Sequence, residues 1–336
     1  MSLVDLIAAL MFVGVLAYSI FGGADFGSGI WDLLALDTEY APALRRQIDR
    51  SIGPVWEANH VWLIYILVFL WTAFPTGFGA IMTTLYVPWL FVGLGIVLRG
   101  AGFAFRKFAA TRASARMFGI TFAASSLITP FFLGMIAGAV ASGRVPAEGH
   151  GDLLASWTGP TSWVGGTLAV LTCAFLAATF LAADAQRAHN PELAAWIGRR
   201  ALVCGLVTSV VAVGAIVPIE IDSETLAGKL QGRGAVLLVV SALAGVATLW
   251  LLHRSAWATA RIGAAVAVAA IVVGWGVAQY PDLLADNLSL EDAAGARPTQ
   301  VGLVITFVFA AVTAVPAMVW LFILVNRRDW ATDEHA

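Results

Sequence analysis

The sequence predicts an all-α integral membrane protein, a bundle of about nine transmembrane helices, on three observations. The 336-residue chain is 60% hydrophobic and only 12% charged, whereas soluble domains carry about 25% charged residues. Its apolar residues gather into runs of about the twenty positions needed to cross roughly 30 Å of hydrocarbon. Its basic residues avoid those runs and collect in every second connection between them. The net charge of −2 and this placement of Lys and Arg exclude nucleic acid as an expected partner.

In chain order the spans fall at 3–36, 54–74, 77–98, 113–141, 156–185, 194–219, 234–253, 258–279 and 300–325. The first has no basic stretch ahead of it and no small-residue cleavage site before Asp25, so it reads as a retained helix. Cys173 and Cys204 lie in apolar stretches with no CxxC spacing and read as small buried side chains. Trp157, Trp163, Trp196, Trp257 and Trp330 mark span ends and read as interface anchors. The longest connection, 280–299, is too short for a second domain, so 1–336 reads as one transmembrane domain.

Orientation follows from the basic residues. One set of alternating connections holds Arg45, Arg46, Arg50, Arg99, Arg106, Lys107, Arg112, Arg116, Arg187, Arg199, Arg200, Arg254, Arg261, Arg327 and Arg328, fifteen of the nineteen Lys and Arg. The other set holds Arg144, Lys229, Arg233 and Arg297, among acids such as Glu220, Asp222, Glu224, Asp282 and Asp286. The positive-inside rule therefore predicts an external amino terminus, a cytoplasmic carboxyl terminus and an odd number of spans. Phe21-Gly22-Gly23-Ala24-Asp25 in span one is echoed by Phe180-Leu181-Ala182-Ala183-Asp184 in span five. That offset suggests two four-helix repeats, about 1–141 and 156–279, with a ninth helix at about 300–325.

The chemistry-bearing residues cluster early. Span one ends with Gly22-Gly23-Ala24-Asp25-Phe26-Gly27-Ser28-Gly29-Ile30-Trp31-Asp32, and Gly23 and Gly27 form a small-residue face for a neighbouring helix. Asp25 and Asp32 share a helix face about 10 Å apart along the axis. Asp32 reads as a solvated interfacial residue. Asp25 is deeper, and no Lys or Arg falls inside a neighbouring span as drawn, so it reads as a functional carboxylate in preference to half of a buried ion pair.

Span two opens with Trp56-Glu57-Ala58-Asn59-His60-Val61-Trp62. Glu57 and His60 share one face, and Asn59 points away from His60. Such groups are costly in lipid unless they meet a bundle interior, water or a cofactor. Asp25 and Glu57 are thus the candidate proton carriers, with His60 as a possible relay. For His60 a hydrogen-bonded relay, a structural histidine and a haem ligand all stand open. Leu98-Arg99-Gly100-Ala101-Gly102-Phe103-Ala104-Phe105-Arg106 closes span three, with Arg99 and Arg106 reading as headgroup anchors. No phosphate loop, metal cluster or nucleophile–base set is visible, so the chain does not read as an enzyme on its own.

These three segments, Gly22–Gly27, Gly53–Leu63 and Arg99–Arg106, with nine spans and an external amino terminus, resemble subunit II of the cytochrome bd-type quinol oxidases. The motifs cover about the first third of the chain. The resemblance implies a complex in which a subunit I bearing haems b and d oxidises quinol at the outer face and reduces dioxygen to water. It implies that subunit II sits in a prokaryotic cell membrane, binds no haem firmly, packs against subunit I, carries protons from the cytoplasm by a path through Asp25 and Glu57 with Asn59 beside them, and leaves room for a structural quinone and small accessory subunits.

Two departures mark a divergent member. The family commonly reads Trp-Asp-Gly-Asn and then Glu or Gln, where this chain has Trp56-Glu57-Ala58-Asn59-His60. The family also commonly has an acid where this chain has Ala104. A proton-coupled secondary transporter and a haem-binding membrane subunit are the competing expectations.

Overall fold

A computed structural model describes residues 2–36, 38–53, 56–106 and 108–326, without the side chains of Arg112, Val315, Met318, Leu321, Phe322, Val325 and Asn326. Pro54, Val55, Lys107, Arg327, Arg328, Trp330 and His335 therefore lie outside the described residues.

The helices are α1 (Leu3–Leu34), α2 (Ala41–Ile52), α3 (Trp56–Ala73), α4 (Pro75–Thr84), α5 (Tyr86–Arg106), α6 (Arg112–Ala141), α7 (Pro160–Arg187), α8 (Pro191–Asp222), α9 (Glu224–Gln231), α10 (Ala235–His253), α11 (Trp257–Gln279), α12 (Leu290–Ala293) and α13 (Arg297–Asn326). Among the described residues eight helices are long and apolar enough to cross a membrane, and α2 with α3, bent by 54°, bring the count to nine if the pair is taken as one span. The fold is the predicted all-α membrane bundle.

The third span differs from expectation. In place of one helix over 77–98, Pro75 starts the short α4, and a new helix runs from Tyr86 to Arg106. The shift carries Arg99 two turns inside the helix. Gly95 and Gly102 continue one face of α5 against α6, where a Cβ would lie 2.2 Å from Thr129 Oγ1 and 2.8 Å from the Phe118 carbonyl oxygen respectively.

Helix α1 changes character along its length. Its first half buries only Val4, Ile7 and Gly14, then it widens into a π-helical turn at Tyr18–Gly22. Beyond that turn residues 25–32 are all buried. They cross α7 so closely that a Cβ at Gly27 would stand 1.9 Å from the Cys173 carbonyl oxygen. Trp31 donates from Nε1 to the Ala174 carbonyl at 2.7 Å across the same crossing. Helix α2 is amphipathic and seats Ala41, Leu44, Ile48 and Ile52 against this core.

At the opposite, acid-rich end a two-stranded antiparallel sheet, β1 (Asp282–Leu284) and β2 (Leu288–Ser289), occupies the long connection. Asn287 docks it by donating to the carbonyls of Gly143 and Val145 at 2.8 and 3.0 Å. Trp157, Trp196 and Trp257 are buried, so they pack the bundle where interface anchoring was expected; Trp163 is exposed. Trp196 stacks on Tyr40 at 5.0 Å.

Candidate functional site

The predicted residues gather where α1, α3, α5 and α6 meet at the arginine-rich end. The glycines of span one make this possible. At Gly29 a Cβ would stand 2.2 Å from Ser126 Oγ, so only glycine lets α6 present that hydroxyl so close to α1.

Asp25 is 1% exposed and so is Arg99, which forks onto both carboxylate oxygens at 2.8 and 3.1 Å. Arg99 also donates to the Asp25 carbonyl at 2.9 Å and, from Nε, to Ser126 Oγ at 3.0 Å. The Phe26 and Phe122 rings flank the guanidinium at 5.0 and 4.8 Å from its central carbon. The expectation that Asp25 lacks a cation, and that Arg99 lies among headgroups, is therefore corrected. Both followed from ending the third span at 98. A planar, always-charged guanidinium suits this site because its donors match a carboxylate fork.

Asp32 is corrected as well. It is 2% exposed and bridges Arg45 on α2 at 2.7 Å and Arg106 on α5 at 2.6 Å. Arg106 reaches on to Asp49 at 3.2 Å. Two turns of α1 thus present two carboxylates, and arginines from two other helices clamp them. Asp184, the echo of Asp25 in span five, bonds Arg187 and also Arg261 at 3.0 Å.

The start of α3 is built differently. Glu57 is exposed and stands on a stripe with Val61, Ile64, Val68 and Trp71, all exposed and spaced three or four apart. No ion pair to Glu57 occurs among the described residues. Asn59 and His60 are half-buried on the inward side. The Asn59 side chain lies near the Asp25 carboxylate as a polar neighbour. His60 Nδ1 lies 3.4 Å from the Tyr18 hydroxyl, with the Phe26 and Trp56 rings edge-on to the imidazole at 5.7 and 6.4 Å. The structure therefore brings Asp25, Asn59 and Arg99 together, sets His60 beside them through Phe26, and leaves Glu57 on the outer surface of the group.

Sequence reasoning missed Arg99, Ser126 and Tyr18. The signal for Arg99 was the seven-residue spacing of Gly95 and Gly102, which carries a helix face past position 98. Among the described residues no group of three or more His, Cys, Asp or Glu forms a metal site.

Comparison with known proteins assigns the family. A family model described as cytochrome bd terminal oxidase subunit II matches residues 3–325. The cytochrome bd ubiquinol oxidase subunit 2 of Bacillus subtilis (strain 168) is 30% identical over 131 residues, 39% of this chain and 37% of that protein. A second protein of that organism, named for subunit II of a cytochrome bd menaquinol oxidase, is 25% identical over 216 residues, 63% of this chain and 61% of that protein. These matches thus span less than two thirds of either relative's own length. The structure of bd oxidase from Geobacillus thermodenitrificans has the same fold, with a TM-score of 0.80 at 24% identity, over 97% of this chain and 100% of that one. The chain is a multi-pass membrane protein and belongs to the cytochrome bd terminal oxidase subunit II family.

Proposed function

We propose that this chain is the non-haem partner in a membrane oxidase that couples quinol oxidation to reduction of dioxygen to water. It packs against a subunit I carrying haems b and d, and carries protons toward it from the cytoplasm. The distribution of arginines supports an external amino terminus and a cytoplasmic carboxyl terminus. On that reading α3 opens at the cytoplasmic side.

One observation carries the proton role. Glu57 is an ionisable group on an otherwise apolar, exposed helix face, and a carboxylate stays at such a depth only where a partner or water meets it. His60 and Asn59 lie between that face and the buried Asp25. Glu57 is the exchangeable carrier, His60 the relay and Asn59 the polar link; Asp25, held by Arg99, anchors α1 to α5 beside the route.

Two four-helix repeats, 1–141 and 156–279, fit the packing. Helix α1 lies against α3, α6 and α7, and α7 lies against α8, α11 and α1, while α5 pairs with α6 as α10 pairs with α11. A transporter built on repeats would favour matched breaks. The π turn of α1 has no counterpart in α7, which is one helix over Pro160–Arg187.

Glu57→Gln in the assembled oxidase is the test. Quinol-driven oxygen consumption should fall by about tenfold or more with haem content and complex yield intact. Unchanged turnover overturns the proton role, and isolation of a functional haem-free oligomer of this chain alone overturns the oxidase reading.

A further inference from the structure

We infer that Tyr18 is a positioning residue for His60: its hydroxyl holds the imidazole in one tautomer on the path side of α3. The inference rests on the proton-path reading, which did not include Tyr18. The two residues are 42 positions apart in sequence, and the Tyr18 hydroxyl is the polar atom set against His60 Nδ1, at 3.4 Å.

Three features hold the tyrosine there. It begins the π turn of α1, the kind of helical irregularity that re-aims side chains at functional sites. Its ring lies back over Gly22, where a Cβ would stand 2.7 Å from two ring carbons, so a glycine at 22 is a condition of its placement. Phe26 meets it edge-on at 6.2 Å and meets His60 at 5.7 Å, which fixes the spacing of the two rings. Tyr18 is itself 8% exposed, so its hydroxyl has little access to lipid headgroups or bulk water.

The chemistry follows from the donor inventory. A neutral imidazole has one donor nitrogen and one acceptor nitrogen. A phenol is a better donor than acceptor, so facing a neutral imidazole it favours Nδ1 as the acceptor, with the ring proton on Nε2. When the imidazole is protonated, the hydroxyl rotates and accepts from Nδ1–H. One residue thereby serves both charge states, while the carbon edges of Phe26 and Trp56 serve neither. This is how an orienting partner selects a histidine tautomer.

The experiment uses the complete oxidase with ¹⁵N-labelled histidine, and His60→Gln identifies the His60 signal by subtraction. The native complex should give the Nε2–H pattern. Tyr18→Phe should turn it into a tautomer mixture and lower turnover severalfold, with no further loss when added to His60→Gln. Gly22→Ala, which displaces the ring and keeps the hydroxyl, should reproduce the mixed pattern if the phenylalanine variant assembles poorly. An unchanged His60 pattern in Tyr18→Phe overturns the inference, as does a turnover loss of equal size in the His60→Gln background. Normal turnover of Glu57→Gln with an altered His60 pattern would sink the proton path while leaving the tyrosine–histidine pairing in place.

Discussion

Asp25 on α1 and Glu57 on α3 belong to the same corner of the bundle and to the same acidic residue class, yet their surroundings are opposed. Asp25 is enclosed, forked by Arg99 and backed by the Ser126 hydroxyl and two aromatic rings. Glu57 stands exposed on an apolar stripe with no ion pair among the described residues. A carboxylate forked by a permanent cation is held in its place. A carboxylate without such a partner is not fixed to a neighbouring helix. The comparison separates a group that ties α1, α5 and α6 together from one that stands outside that contact, although both read alike as acids in a membrane span.

The largest effect should come from breaking the lock. Asp25→Asn or Arg99→Leu leaves one buried charge without its partner, a change that typically costs about 3–5 kcal/mol. Thermal unfolding of the purified complex should show this as loss of assembly or a strongly lowered midpoint. Replacing both residues by leucine should recover part of the loss, because the uncompensated charge is gone. Arg99→Lys should recover less than its charge suggests, since an ammonium cannot fork across both oxygens. A stable, fully assembled Asp25→Asn complex would erase the distinction drawn between the two carboxylates. Glu57→Gln, by contrast, should leave stability within about 0.5 kcal/mol, as for an exposed surface change.

Second in size is the crossing that places Asp25. A side chain at Gly27 would collide with the Cys173 carbonyl, which is backbone and cannot move aside alone. Gly27→Val should separate α1 from α7 and cost more than about the 1–3 kcal/mol of ordinary overpacking. At Gly79, where a Cβ would meet nothing within 4 Å, Ala should be tolerated. Comparing complex yield for the two variants tests whether the close approach, and not glycine content in general, holds the site.

The membrane fold was legible because hydrocarbon imposes one length and one chemistry on every span, and α6, α7, α10 and α11 fall where their apolar runs are. The site was legible in part. Motif spacing singled out Asp25, Glu57, Asn59 and His60, but the partner of Asp25 stayed hidden. An arginine at the end of an apolar run looks the same in sequence whether it meets headgroups or turns inward. Only the break before Tyr86, which slides the third span along by two turns, decides between them. Asp32 was misread for a related reason: the amphipathic α2 lies against α1 so that Arg45 covers that carboxylate. Tyr18 carried no signal, since a tyrosine in an apolar run is ordinary and the π turn that aims it is a property of packing.

The smallest effect belongs to the acid-rich end, which tests the comparison from outside. Lys229 on α9 bonds Asp282 at 2.8 Å and Asp286 at 3.4 Å, and the Asp282 hydrogen bond raises its pKa above the ordinary lysine value. A raised folded-state pKa stabilises the fold below the unfolded lysine pKa, and that contribution disappears as pH climbs through the folded value. Between neutral pH and the onset of lysine titration the pair should therefore add a constant increment, below about 1 kcal/mol because both partners reach solvent. Lys229→Met should lower the unfolding midpoint slightly and equally across the neutral range, with the difference from the native protein closing only in strong alkali. It should leave turnover untouched. If this substitution slowed oxygen consumption as much as Glu57→Gln, exposure of an ionisable group at the arginine-rich end would no longer distinguish a proton carrier from a surface charge.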